Sequence, residues 1–251
     1  MRKSLITLAA TGAMLALPMS ASAQTPTTFT ADLSQANDSG ASGTATITVD
    51  GNEATVRVDG NGFFDGFPHA MHLHGEPGGD NVCGPLNPSD SGFDAADEDG
   101  DGLISVAEGV PAYGGVTVSL TTEGDTSADS GLAVDRFPTS GTLDYERTFE
   151  LPQDVADNLS SLHVVVHAVD LDDSGEIGDF GTPSSLDPEL DIEATVPAAC
   201  GQLVASASGG VATGAGGTAA DSGSTSGAFA AGALGLAALG TVAARRRKVT
   251  A

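Results

Sequence analysis

The chain has 251 residues, with 34 acidic side chains against nine lysines and arginines and a formal net charge of −25. Binding to nucleic acid by phosphate neutralisation is excluded, because that needs a basic surface. Hydrophobic residues make up 40% and aromatics only 4%, without tryptophan, so the core has to be built from Val, Leu, Ile and Ala, in one domain of modest size.

Met1-Arg2-Lys3, the apolar run Leu5 to Leu17 and Ala21-Ser22-Ala23 before Gln24 have the layout of a Sec-type signal over residues 1–23. The mature chain is then expected outside the cytoplasm, starting near Gln24. All 34 acids lie between Asp32 and Asp221, and the exported part keeps only Arg57, Arg136 and Arg147, a formal charge of −31. A solvated surface suited to a salty medium accounts for this better than a specific cationic partner. The three arginines are expected to be satisfied within that surface.

Between residues 24 and about 204 the hydrophobic period is two. Thr44 to Val49, Asp50-Gly51-Asn52 and Ala54 to Val58 read as a hairpin with Ile47, Val49, Val56 and Val58 turned inward. Further strands are expected at Ala70 to His74, Val116 to Thr122, Leu143 to Leu151 and Leu162 to Val169, and a short helical turn at Gln153 to Leu159. Short strands with long polar loops predict an all-β protein, an antiparallel sandwich or barrel.

The histidines are clustered. His69, His72 and His74 lie in Pro68-His69-Ala70-Met71-His72-Leu73-His74-Gly75, and His163 and His167 in a second strand. In a strand, His72 and His74 share a face with Cα atoms about 6.5–7 Å apart, from which two imidazoles can converge on one metal, while Met71 and Leu73 face the core. Taken alone, an H-x-H pair also fits two surface imidazoles. His163 lies about 13 Å along the strand from His167 and cannot simply join a site with it.

Asp97-Glu98-Asp99-Gly100-Asp101-Gly102-Leu103-Ile104-Ser105-Val106-Ala107-Glu108 has Asp at positions 1, 3 and 5, Gly at 6, Ile at 8 and Glu at 12. This is the EF-hand calcium pattern, with Asp97, Asp99, Asp101, the Leu103 carbonyl and a bidentate Glu108 as ligands. Gly109 and Pro111 follow, which argues against a long exit helix and for an isolated loop around a structural ion. A second loop keeps Asp170, Asp172, Ser174, Gly175 and Ile177 at positions 1, 3, 5, 6 and 8, but has Gly181 at position 12. Calcium there would have to borrow Asp179, Asp187 or Glu189, and a plain Asp-Gly turn fits equally well.

Residues 205–226 form a Gly/Ala/Ser/Thr linker, and Gly227 to Ala244 is eighteen residues without charge, followed by Arg245-Arg246-Arg247-Lys248. This predicts a C-terminal transmembrane helix over 227–244 and a cytoplasmic basic tail over 245–251, anchoring the domain at the cell surface. A sorting signal that is later cut is the competing reading.

The ordered landmarks His69-x-x-His72-x-His74, Asp80-Asn81, Cys83-Gly84-Pro85, Asn87-Pro88, Val165-Val166-His167 and Ala199-Cys200-Gly201 resemble the copper/zinc superoxide dismutase family. They span residues 69 to 201. The resemblance implies a Greek-key antiparallel barrel, His72, His74 and His167 as copper ligands, His69 as a supporting histidine, and a Cys83–Cys200 disulfide. An exported chain with two cysteines agrees with the last. The histidine that bridges copper and zinc in the family is replaced by Leu86, and no histidine lies between His74 and His163, so zinc is not expected. The family's guiding arginine is replaced by Pro197, and a charge of −31 would repel an anionic substrate. The acidic loop 97–108 falls where the zinc segment lies in the family, so calcium is expected to order the loop that zinc orders there. The chordin-type surface domains share the His-rich strand and the barrel class without a dismutase requirement.

Two functions follow. The intact calcium pattern favours an exported, membrane-anchored calcium-binding β-domain with metal ions as its partners. The alternative is a copper-dependent superoxide dismutase at the cell surface that lacks the zinc site. No catalytic residue is assigned, and no serine lies in a nucleophile-elbow sequence.

Overall fold

The structure, a computed structural model, describes residues 25–206. The expected signal segment, membrane span, basic tail and most of the linker lie outside the described residues. Among the described residues no helix is long and apolar enough to cross a membrane.

Among the described residues nine strands carry the fold: β1 (Thr27–Gln35), β2 (Ser42–Asp50), β3 (Glu53–Asn61), β4 (Met71–His74), β5 (Val116–Ser119), β6 (Thr142–Glu150), β7 (His163–His167), β8 (Pro197–Gln202) and β9 (Val204–Ala205). They form one antiparallel sheet in the order β5-β4-β7-β8-β1-β2-β3-β6, with β9 also paired to β1, curled into a half-barrel. The protein is therefore mostly β, as the period of two implied. The chain passes between the two halves of this order after β3, β5 and β6. Side chains of β6 hold the segment that follows β5: the Tyr145 hydroxyl donates to the Thr121 carbonyl at 3.1 Å, and Arg147 donates to the same carbonyl and to Thr121 Oγ1, both at 2.7 Å. Arg57 pairs with Glu146 on the outer surface, and Arg136 donates to the carbonyls of Glu123 and Asp125 and to Ser130 Oγ. All three arginines are thus satisfied locally.

The β2–β3 hairpin forms where alternation is cleanest. Asp50 pairs with Glu53 across a two-residue turn, and Ile47, Val49, Val56 and Val58 are buried. The strands β1 and β8, absent from the sequence expectation, join the two halves. In β1, Phe29, Ala31 and Leu33 alternate with exposed polar residues. In β8, Pro-Ala-Ala-Cys-Gly is buried on both faces, so no period of two is visible.

Of the three short α-helices among the described residues, α1 (Phe93–Ala96), α2 (Val106–Tyr113) and α3 (Gln153–Asp157), only α3 was expected, and a 3₁₀ turn at Leu159–Ser161 completes that segment. The exit from the first acidic loop is a two-turn helix despite Gly109 and Pro111. Ser105 and Glu108 form a capping box, with Ser105 Oγ accepting the Glu108 N–H and Glu108 Oε2 accepting the Ser105 N–H. Gly109 is required because a Cβ there would overlap the Tyr113 ring.

Two apolar clusters result. The larger fills the concave side with Ile47, Val56, Met71, Leu73, Val164, Val166 and their neighbours. The second lies on the opposite face of β7 and β8, where Val165 and Cys200 meet Ala36, Leu86, Phe93, Ile104 and Tyr113 from the covering loops. Leu86 thus contributes to packing. Because loops cover this face, every residue of β7 is buried, its histidines included. The Cys83–Cys200 disulfide fastens the loop to β8, with Cα atoms 5.9 Å apart.

Candidate metal centre

Alternation on β4 and β7 turns His72, His74, His163, Val165 and His167 to the loop-covered face and Met71, Leu73, Val164 and Val166 to the main core. His72, His74 and His167 converge: their ring centroids are 5.4, 5.3 and 5.6 Å apart pairwise, and each offers a ring nitrogen within 4.8 Å of the others. All three are buried.

Backbone carbonyls assign the tautomers. His74 Nδ1–H donates to the Gly114 carbonyl at 2.9 Å, His167 Nδ1–H to the Thr195 carbonyl at 2.6 Å, and His72 Nε2–H to the Gly131 carbonyl at 3.0 Å. The nitrogens left over are His72 Nδ1, His74 Nε2 and His167 Nε2. The last two face each other at 3.5 Å, and neither has a proton to share. His72 Nδ1 is buried without any partner. Such an orphan costs about 1–3 kcal/mol, and a metal with an empty coordination position would relieve it together with the facing lone pairs. The donor set fits a borderline transition metal such as copper, and the carbonyls that hold each second nitrogen are the usual outer support of ligating histidines.

The charged forms are suppressed. Burial, then the neighbouring His167 and His74, holds His72 well below the usual imidazole range. Burial and His167 bring His74 to about 3, and burial brings His167 to about 4. All three are therefore neutral at pH 7. His69 packs beside the centre with Nδ1 at 3.0 Å from the His167 carbonyl and Nε2 at 2.7 Å from the Phe64 carbonyl, which suits a supporting role. His163 is opposite His74 in the ladder and stays outside the cluster, as the strand distance implied; its two nitrogens are buried without partners.

The acidic loops are two further candidate groups. In the first, Asp97, Asp99 and Glu108 offer oxygens within 4.8 Å of one another. Asp101 lies outside that trio and accepts the Leu103 N–H at 2.8 Å; burial and the neighbouring Asp99, Glu108 and Asp97 raise its pKa against that hydrogen bond. In the second loop, the carboxylate that joins Asp170 and Asp172 is Glu193. This corrects the expectation of Asp179, Asp187 or Glu189. The 3₁₀ turn Ile192–Ala194 folds back and carries Glu193 beneath the loop, fully buried. Ser174 turns its hydroxyl to Asp179 at 3.0 Å instead of to the trio.

The two loops share one hydrogen-bond pattern. The first-position aspartate accepts from the fifth and sixth N–H groups, at 3.2 and 3.0 Å in one loop and 3.1 and 2.8 Å in the other. The third-position aspartate accepts from the fifth N–H at 3.1 Å in both. Glu108 Oε1 accepts from Glu98 at 2.9 Å, and Glu193 Oε1 from the corresponding Leu171 at 2.8 Å. The sixth-position glycines, Gly102 and Gly175, have φ of 86° and 84°, which explains the glycine at each bend.

The sequence reading missed Asn37. Its side chain accepts the Ile104 N–H at 2.7 Å and donates to the Ile104 and Pro197 carbonyls at 3.1 and 3.0 Å, stapling the first loop to β8. An asparagine in a turn carries no sign of this.

The chain matches no family model and no curated protein.

Proposed function

We propose that the chain is an exported metal-binding β-domain that holds copper on His72 Nδ1, His74 Nε2 and His167 Nε2 and calcium in its two acidic loops. The convergence of three unprotonated, buried imidazole nitrogens carries this reading. The sequence alone ranked calcium above copper. Copper rises because packing alone leaves a buried nitrogen without a partner, while three neutral imidazoles favour Cu(II) over the other divalent ions.

The strand order and the passages between halves support a Greek-key barrel resembling copper/zinc superoxide dismutases and chordin-type domains. Bound copper would supply one-electron chemistry. The chain's own residues fix each histidine through a carbonyl, exclude bulk water from the ring nitrogens and keep them unprotonated. Asp97, Asp99 and Glu108 would hold one calcium and Asp170, Asp172 and Glu193 a second, with the signal segment and C-terminal helix placing the domain at the cell surface.

The test is the metal content of the purified chain after copper and calcium are both offered and the excess removed. One copper and two calcium per chain are expected, with copper alone lost in His72→Gln. Copper retained in that variant, or calcium without copper in the parent chain, would contradict the copper reading.

A further inference from the structure

His72, His74 and His167 line the buried part of a cavity of about 420 Å³, within the range of about 300–1,000 Å³ common for small-molecule sites. We infer that this cavity takes a neutral, mostly apolar small molecule of the phenol class, its hydroxyl oxygen directed at the histidine centre; the inference rests on the copper reading above.

Charge is the first argument. No lysine or arginine is among the lining residues described, and Asp129 supplies the one charged side chain. The exported part as a whole has a formal charge of −31. Apart from the bound copper itself, an anion entering here meets no counter-charge among these residues and approaches across an acidic surface, so superoxide, carboxylates and phosphates are steered away before they reach the metal. A cation has acidic surface available everywhere else, and nothing in this cavity singles it out.

The walls and rim are the second argument. Phe67, Val110 and Val116 line the cavity, and Leu132, Val134 and Leu186 are 43%, 45% and 52% exposed while lining it too. They are half of the six large apolar side chains exposed among the described residues. Three such side chains gathered on one cavity in so acidic a protein mark a binding surface. A ligand that satisfies both ends has an apolar body for the rim and one lone-pair donor for the centre. A phenol has both and is uncharged in neutral solution, since its hydroxyl titrates near 10.

The copper-loaded chain, with calcium present, is titrated with phenol, 4-ethylphenol and 4-butylphenol, and with azide as the anionic control. Binding is read from the visible copper band and the electron paramagnetic resonance spectrum. The expected result is a spectral shift with each phenol and an affinity that rises about fourfold per buried methylene. Leu186→Glu, on the rim and adjacent in sequence to no residue that holds a copper ligand, should flatten that rise while leaving the copper spectrum of the ligand-free protein unchanged. Copper that responds to azide and not to the phenols, or phenol affinities independent of chain length, would overturn this inference and leave the copper reading standing. Copper that never reaches the three histidines would overturn both.

Discussion

His72, His74 and His167 stand on adjacent hydrogen-bonded strands, β4 and β7, whereas the two acidic trios stand on loops whose aspartates are held by backbone N–H groups. The histidine centre can persist without its ion because its members are neutral, and the cost of emptiness is one orphaned nitrogen and a pair of facing lone pairs. The carboxylate trios crowd like charges, so their geometry depends more strongly on a cation. The two kinds of site are also joined. Glu108 lies in α2, which ends at Tyr113 and Gly114; the Tyr113 ring packs edge-on against His74 at 4.9 Å, and the Gly114 carbonyl fixes its Nδ1–H. Glu193 is two residues before Thr195, whose carbonyl fixes His167. Each acidic loop thus leads directly to the carbonyl that holds one histidine of the centre. A rigid centre whose outer support rests on cation-dependent loops is expected to feel calcium without touching it.

Removing a strand-borne ligand should break the comparison most severely. His167→Gln is expected to reduce copper from one per chain to none while calcium stays at two, measured by metal analysis on a chain whose circular dichroism is unchanged. Retained copper would mean that the sheet does not carry the centre.

Acidification attacks the same centre through its protons. In the metal-free chain His74 and His167 titrate near 3 and 4 and His72 well below its ordinary value, against about 6.5 in the unfolded chain. Between pH 6.5 and about 4 the unfolded state binds more protons. The stability these histidines contribute is therefore complete above pH 6.5 and is lost as pH falls, by about 1.4 kcal/mol per pH unit for each histidine. Denaturant melts of the metal-free chain should show this slope, and it should be shallower in His167→Gln.

The junction between the regions is sharpened by Glu193→Gln. Calcium should fall from two to one per chain, and copper affinity should drop by less than the roughly 10–100-fold that loss of a direct outer support costs, in a competition titration against a copper chelator. Unchanged copper affinity with one calcium lost would separate the two regions. The mildest change is Asn37→Ala, which leaves the Ile104 N–H and carbonyl without partners. It is expected to destabilise the fold by about 1–3 kcal/mol and to weaken calcium binding in the first loop, read by thermal melts with and without calcium.

The two regions also differ in how far the sequence discloses them. The histidine strands and the β2–β3 hairpin were legible because a period of two separates Met71 and Leu73 from His72 and His74. The pattern of Asp97 to Glu108 was legible because its residues are consecutive. Glu193 was not, because a 3₁₀ turn brings it back from twelve residues beyond Gly181. The carbonyls of Gly114, Gly131 and Thr195 are main-chain atoms, and no side-chain pattern announces them. The strand β8 is small and buried on both faces, and α2 was hidden by the helix-breaking reputation of Gly109 and Pro111, which the capping box and the Tyr113 ring overcome.

The most direct measurement is the electron paramagnetic resonance spectrum of the chain loaded with one equivalent of copper(II), compared with that of His167→Gln. Nitrogen coupling from three imidazoles is expected in the parent chain, with its loss in the variant. The same spectrum in both proteins, or one without imidazole coupling, would contradict it.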